Sequence, residues 1–163
     1  MAALAILPIT VDDLPFVRAM LYEAAFWRAP SAAPPMREAL NQPGLAVYLE
    51  GWGRPGDTGV IARIGEEPAG AVWVRHFNAD DHGYGYVDEL TPELSIAVVE
   101  DHRGFGIGRC LMTAMLVELR RRSVARVSLS VENDNPAHLL YESMGFVPLR
   151  AVDGSTTMTR TLT

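Results

Sequence analysis

The chain has 163 residues, 48% hydrophobic and 21% charged, with a formal net charge of −6. That length and balance suit one soluble domain over residues 1–163, and the negative charge excludes a nucleic-acid scaffold. Cys110 is the sole cysteine, so an intrachain disulfide and a cysteine zinc site are ruled out.

No stretch approaches the run of about 20 apolar residues that spans a membrane, so no membrane partner is expected. The opening MAALAILPITVDDL lacks the positive flank of a secretory signal, and the expected compartment is the cytoplasm. In chain order, Ala3–Ile9 reads as a strand. Thr10 or Asp12 caps a helix from Asp12 to about Ala25, with Leu14, Val17, Leu21 and Tyr22 on one stripe. Phe26–Pro35 is broken by three prolines, and short helical pieces follow at Met36–Asn41 and Gly44–Glu50. Phe26, Trp27, Tyr48 and Trp52 read either as core aromatics or as the lining of an apolar pocket. Gly53–Asp57 is a turn, and Thr58–Ile64 with Ala69–His76 form a hairpin joined through Gly65–Pro68. Asn78–Pro92 is a long loop. Its Asp80, Asp81 and His82 have no distant partners to complete a metal site, so no metal is expected, whereas a loop of this length points to function.

Glu93–Leu111, ELSIAVVEDHRGFGIGRCL, joins an apolar β-type run, Leu94–Val99, to a glycine turn and then to an amphipathic helix over Arg109–Val124. Arg120, Arg121 and Arg122 suit that helix's C-terminus. Strand, glycine turn and helix N-terminus together make an anion site, because glycine lets the backbone approach closely and the free N–H groups favour phosphate. Three patterns compete. A Walker loop needs lysine and then serine or threonine after its last glycine, but Arg109 and Cys110 follow Gly108. A Rossmann fingerprint needs G-x-G-x-x-G early in a βαβ unit, but the glycines at 104, 106 and 108 fall late, with no acidic residue at the end of a second strand. The spacing therefore argues against a nucleotide-dependent oxidoreductase. The pattern [Q/R]-x-x-G-x-[G/A] is met by Arg103, Gly106 and Gly108.

A second β-type run, Arg126–Val131, leads into NPAHLLYESMGF at Asn135–Phe146. Asn135 suits an N-cap, Pro136 the first helical position and Gly145 the C-terminal stop. Phe146–Arg150 and Thr156–Leu162, around Asp153 and Gly154, read as a closing hairpin. The two signatures, in this order and roughly thirty residues apart, resemble those of the GNAT superfamily of N-acetyltransferases. The resemblance runs over essentially the whole chain and is weakest at Phe26–Gly56.

The resemblance implies an α/β (α+β) fold with a mixed, mostly antiparallel central sheet, splayed parallel fourth and fifth strands, and flanking helices. It implies acetyl-CoA as cosubstrate and an amine acceptor. Main-chain groups of Ile96, Ala97, Val98 and Val99 would pair with the pantetheine arm. Gly104, Phe105, Gly106, Ile107, Gly108 and Arg109 would hold the pyrophosphate, with positive charge from Arg103 and Arg109, and Asn135 would touch the pantetheine arm. Tyr141 matches the tyrosine that protonates the leaving sulfur, and Glu93 sits where some members place a carboxylate base acting through water. The fifth-strand glutamate of other members is replaced here by Ser130. That favours a small-molecule amine over the protein α-amine of the ribosomal-protein acetyltransferases, and an acidic surface suits a cationic acceptor. A non-catalytic acyl-CoA sensor is the alternative from another class, and intact Tyr141 and Glu93 count against it. Cys110, on the helix, reads as a small packed thiol. A homodimer is expected, built from the aromatic helical region or the C-terminal strands.

Overall fold

The computed structural model describes residues 2–28 and 30–162. Seven strands form one sheet: β1 (Leu4–Pro8), β2 (Thr58–Ile64), β3 (Glu67–Arg75), β4 (Glu93–Val98), β5 (Arg126–Glu132), β6 (Val147–Val152) and β7 (Ser155–Thr161). Their order is β1-β2-β3-β4-β5-β7-β6, and every neighbouring pair is antiparallel except β4 and β5. The mixed, mostly antiparallel sheet with parallel β4 and β5 is the architecture the sequence implies.

The strands divide their side chains by alternation. On β3, Val72 and Val74 face a core with Leu94, Val127 and Leu129, and helix α4 (Ile107–Arg121) covers that core with Leu111, Met112, Met115, Leu116 and Leu119. Helix α5 (Ala137–Ser143) adds Tyr141 to the same layer. Ala71 and Trp73 face the other way, into a second core. There α1 (Leu14–Ala25) contributes Val17, Met20 and Leu21, and the segment from α3 (Pro43–Ala46) to Leu49 contributes Leu45, Val47, Tyr48 and Leu49. Helix α2 (Met36–Leu40) links α1 to α3. The sheet is thus a middle layer with helices on both faces.

Local chemistry explains the starts and stops. Asp13 accepts hydrogen bonds from the Thr10 amide (2.8 Å) and hydroxyl (3.1 Å) and pairs with Arg63 at 2.7 Å, so Thr10 is the cap used. Burial alone would raise the Asp13 pKa, but these partners outweigh it and hold the pKa below the ordinary value. On α5, the Asn135 side chain accepts from the Ala137 amide at 2.9 Å, while Phe146 and Gly145 donate to Tyr141 and Glu142 carbonyls at the C-terminal end.

Several boundaries differ from expectation. Strand β3 begins at Glu67, not Ala69, because a bulge between Ala62 and Arg63 accommodates Pro68 opposite Arg63. Helix α3 ends at Ala46, and the chain continues in turns through Tyr48 and Leu49 that bond back to Leu45 and Ala46. Helix α4 runs from Ile107 to Arg121 rather than from Arg109 to Val124. Near its end, Arg121 and Arg122 both pair with Glu118 at 2.7 Å. A buried arginine that the sequence does not advertise closes β3. Arg75 forks onto Asp57 at 3.0 and 2.9 Å and donates to the Val47 and Glu50 carbonyls, fastening the segment after α3 to the sheet.

Candidate functional site

Strands β4 and β5 pair only at Glu93 and Ser128, where the Ser128 amide donates to the Pro92 carbonyl at 3.0 Å. Beyond that pair they part, and an opening runs through the middle of the sheet toward their C-terminal ends. The β3–β4 ladder decides which main-chain groups face it. The Val99 amide donates to Ala69 at 2.8 Å, so by alternation Ala97 and Val99 point at β3 while Ile96 and Val98 point into the opening. The Val98 carbonyl accepts from Arg103 Nε at 3.0 Å. Of the four residues named from the sequence, Ile96 and Val98 turn their main-chain groups to the open side, and Arg103 already occupies the Val98 carbonyl.

The chain leaves β4 through a short turn and enters α4 at Gly104–Gly108. Gly104 and Gly106 have φ of 84° and 82°, and a Cβ at either would meet nothing within 4 Å. Glycine therefore serves the left-handed backbone here and leaves open space above the helix N-terminus. The first main-chain bond of the helix is from the Cys110 amide to the Gly106 carbonyl. Among the described residues, the amides of residues 104–109 donate to no main-chain acceptor. Phe105 is 79% exposed beside them. Arg103 is less free than its position suggests, because its guanidinium also pairs with Glu23 of α1 at 3.1 Å. Arg109 donates to the Ser143 hydroxyl at 2.8 Å and borders a cleft of about 370 Å³ between α4, α5 and β7, which Arg120 and Arg160 also line.

Glu93 and Tyr141 lie on opposite faces of the sheet, in the α1-side and α4-side layers. Glu93 is 3% exposed on the α1 side, where Tyr48 donates to its Oε2 at 2.5 Å. Burial is the main influence on its pKa and pushes it up to about 7, against smaller lowering effects from Tyr48 and the Gly85 main chain. Two polar atoms on this face, Glu93 Oε1 and Trp73 Nε1, are buried with no hydrogen-bond partner among the described residues. Orphans of that kind need an explanation, and a bound molecule is one. Tyr141 lies in the α4 layer, 8% exposed, and burial pushes its phenol up to about 12. Its neighbour Leu140 stands 3.4 Å from where a Cβ on Gly108 would lie, which brings α5 against the opening.

The Asn78–Pro92 loop covers the Glu93 face, fastened by residues far away in sequence. Arg126 bonds Asp88 and Thr91, Arg150 bonds the Tyr86 carbonyl, and the Ser128 hydroxyl donates to Gly85 at 2.7 Å. Asp80 and Asp81 are exposed on it, their amides donating to the Asn78 side chain. Of the aromatics, Tyr48 reaches the site, whereas Trp52 lies over Arg75 at 5.7 Å and Phe26 packs on Tyr22. Arg28, just after α1, reaches across to Glu132 and Asp134 at the end of β5. The contacts of Tyr48, Trp73 and Arg28 carry no local sequence signal, since each depends on partners on other elements.

Comparison with known proteins bears on the family and the fold. The profile described as "Acetyltransferase (GNAT) family" matches residues 20–146. A mycothiol acetyltransferase from Geodermatophilus obscurus is 35% identical over 96 residues, covering 58% of this chain and 30% of that protein. The [ribosomal protein bS18]-alanine N-acetyltransferase of Escherichia coli strain K12 is 43% identical over 61 residues, covering 37% of this chain and 40% of that protein. The matches thus span 30–40% of the length of these curated relatives. Among solved structures, the PaiA N-acetyltransferase of Thermoplasma acidophilum, crystallised in complex with coenzyme A, superposes with a TM-score of 0.72 at 13% identity, covering 98% of this chain and 99% of that one. Among the described residues, no helix is long and apolar enough to cross a membrane.

Proposed function

The chain belongs to the acetyltransferase (GNAT) family, and from that premise we propose that residues 1–163 form one catalytic domain that moves the acetyl group of acetyl-CoA directly onto a primary amine, with a small molecule as acceptor. The observation that carries this reading is the single-pair β4–β5 opening leading to the unpartnered amides of residues 104–109. Ile96 and Val98 offer their outward main-chain groups to the pantetheine amides, as a partner strand would. The amides of Gly104, Phe105, Gly106, Ile107, Gly108 and Arg109, with the α4 dipole, hold the pyrophosphate. Asn135 caps α5 with its side-chain oxygen and turns its remaining amide donors toward the pantetheine arm. Arg109, in the first turn of α4, and Arg103, shared with Glu23 and the Val98 carbonyl, supply positive charge beside the pyrophosphate in a protein of net charge −6.

Bound acetyl-CoA supplies a thioester. As the amine's C–N bond forms and the C–S bond breaks, Glu93 accepts the proton from nitrogen, directly or through water. Its pKa of about 7 keeps a large share of it ionised near neutrality, where a base is most useful. Tyr141 acts on the sulfur. With a pKa of about 12 it stays protonated. Full proton transfer to a thiolate of ordinary pKa about 8.5 is uphill. Its contribution is therefore a hydrogen bond to the developing negative charge, which the thiolate carries away on leaving.

CoA and acetyl-CoA should each raise the melting temperature, and NAD and ATP should not. A shift with NAD alone would end this reading. Release of CoA with a panel of small primary amines, run beside peptides with free N-termini, then tests the acceptor. The short match to the E. coli ribosomal-protein enzyme favours the peptides as the second reading, and turnover with peptides alone would establish it. Assembly is a further proposal. Strand β6 is a sheet edge exposed along its whole length, with Val147, Leu149 and Val152 outward, and it suits pairing with a second copy. Light scattering that reports only monomer at micromolar concentration would refute the dimer.

A further inference from the structure

We infer that Tyr48 is a positioning residue for Glu93: its hydroxyl fixes one carboxylate oxygen, leaves the other for the acceptor, and couples the carboxylate to the Asn78–Pro92 loop. The inference rests on the reading of Glu93 as the base. Its geometry is a relay through one oxygen. The Tyr48 hydroxyl donates to Glu93 Oε2 at 2.5 Å and accepts from the Tyr84 amide at 2.8 Å. A phenolic oxygen that donates its one hydrogen to the carboxylate keeps lone pairs to accept with, and the Tyr84 amide of the loop fills one of them. The loop then sits directly on the pair. A Cβ at Gly83 would lie 2.4 Å from the Tyr48 hydroxyl and 2.5 Å from Glu93 Oε1, and one at Gly85 would lie 3.1 Å from the Glu93 carboxyl carbon. Only glycine allows so close a cover. Admission of an amine to Oε1 therefore requires this part of the loop to move, and Tyr48 is the group through which that movement reaches the base.

Apart from the unpartnered Trp73 indole and a lesser main-chain contribution from Gly85, the polar groups around Glu93 are engaged elsewhere. Its cross-strand neighbour Arg75 is forked onto Asp57 and two carbonyls. The His82 ring stacks on Tyr86 at 4.6 Å with Nδ1 2.8 Å from the Gly83 carbonyl, and the Ser128 hydroxyl donates to Gly85. The Tyr84 side chain points away, with its hydroxyl 2.7 Å from where a Cβ on Gly44 would stand. Tyr48 is thus the side chain that holds the carboxylate.

Two substitutions should move the Glu93 midpoint in opposite directions, which a merely structural role would not. Tyr48→Phe keeps the ring edge-on to Phe77 and removes the hydrogen bond that favours the carboxylate, so the midpoint should rise by about one to two units. Gly83→Ala forces the loop off the carboxylate and hydrates it, and because burial is the largest cause of the raised value, the midpoint should fall. Carbon-13 NMR of glutamate-labelled full-length protein reads the midpoint with no substrate present, and Glu93→Gln identifies the signal. An unmoved midpoint in folded Tyr48→Phe overturns the inference. Should that variant not fold, an unmoved midpoint in Gly83→Ala does the same. The acid limb of kcat against pH, with acetyl-CoA and the most active amine of the panel, should follow the NMR midpoints. Glu93→Gln turning over at the wild-type rate would sink the base assignment instead, whatever the NMR shows, so the two failures stay distinct.

Discussion

Glu93 and Tyr141 are both buried ionisable side chains, and burial drives their pKa values upward in both cases. The consequences differ because one begins near 4.5 and the other near 10. For Tyr141 the shift removes titration from the working range. Tyr141→Phe should therefore lower kcat by about 10²–10³-fold, the scale of losing one donor to developing charge, by a factor that is constant from pH 6 to pH 9. A Tyr141→Phe enzyme at wild-type rate would remove its role. For Glu93 the shift is a stability statement. Ionisation is harder in the folded protein than in the unfolded chain, so its contribution is complete below pH 4.5 and is lost as pH rises through 7. Glu93→Gln cannot ionise and should be more stable than wild type above pH 8 by about 3 kcal/mol, with little difference near pH 4.5. Urea denaturation at the two pH values measures this, and equal gaps at both would mean that Glu93 is not the shifted group. Tyr141 was nominated from a short motif and Glu93 from its place at the start of β4, both visible in the sequence. The partner of Glu93 was not, since Tyr48 lies 45 residues away on another element.

The α4 N-terminus is where a strand, a turn and a helix meet in consecutive residues, so its chemistry is local and its sequence is readable. The same holds for Asn135 and Gly145, which start and stop α5 as read. Gly106→Ala separates fold from binding. The left-handed backbone makes alanine cost about 1 kcal/mol of stability, yet its Cβ meets no protein atom. Affinity for CoA by calorimetry should therefore fall at least tenfold, out of proportion to a small drop in melting temperature. Unchanged affinity in the folded variant would put the pyrophosphate elsewhere. Reading failed where tertiary contacts override local preference. Pro68 reads as a strand breaker, but a bulge absorbs it inside β3. Arg103 reads as a free cation, but Glu23 and the Val98 carbonyl claim its guanidinium.

Over the whole molecule, alternation of apolar residues and the order of elements fixed a layered sheet, while the fastenings that hold its loops come from residues far apart in sequence. Arg75 with Asp57, Arg126 with Asp88 and Arg150 with Tyr86 each join segments that no spacing rule connects. The opening itself follows from pairing: if Ile96 and Val98 face a vacant ladder, their amides should exchange hydrogen rapidly in the free protein and slow when CoA binds. Ala97 and Val99, committed to β3, should be slow in both states. Equal protection of all four with and without CoA would contradict that geometry. The one rung between Glu93 and Ser128 has a mechanical consequence as well. It makes the sheet two elastic plates, β1 to β4 and β5 to β6, that meet along a seam. The donor would lie along that seam as grout, so stiffness across the molecule would rise on loading and relax each time spent CoA departs.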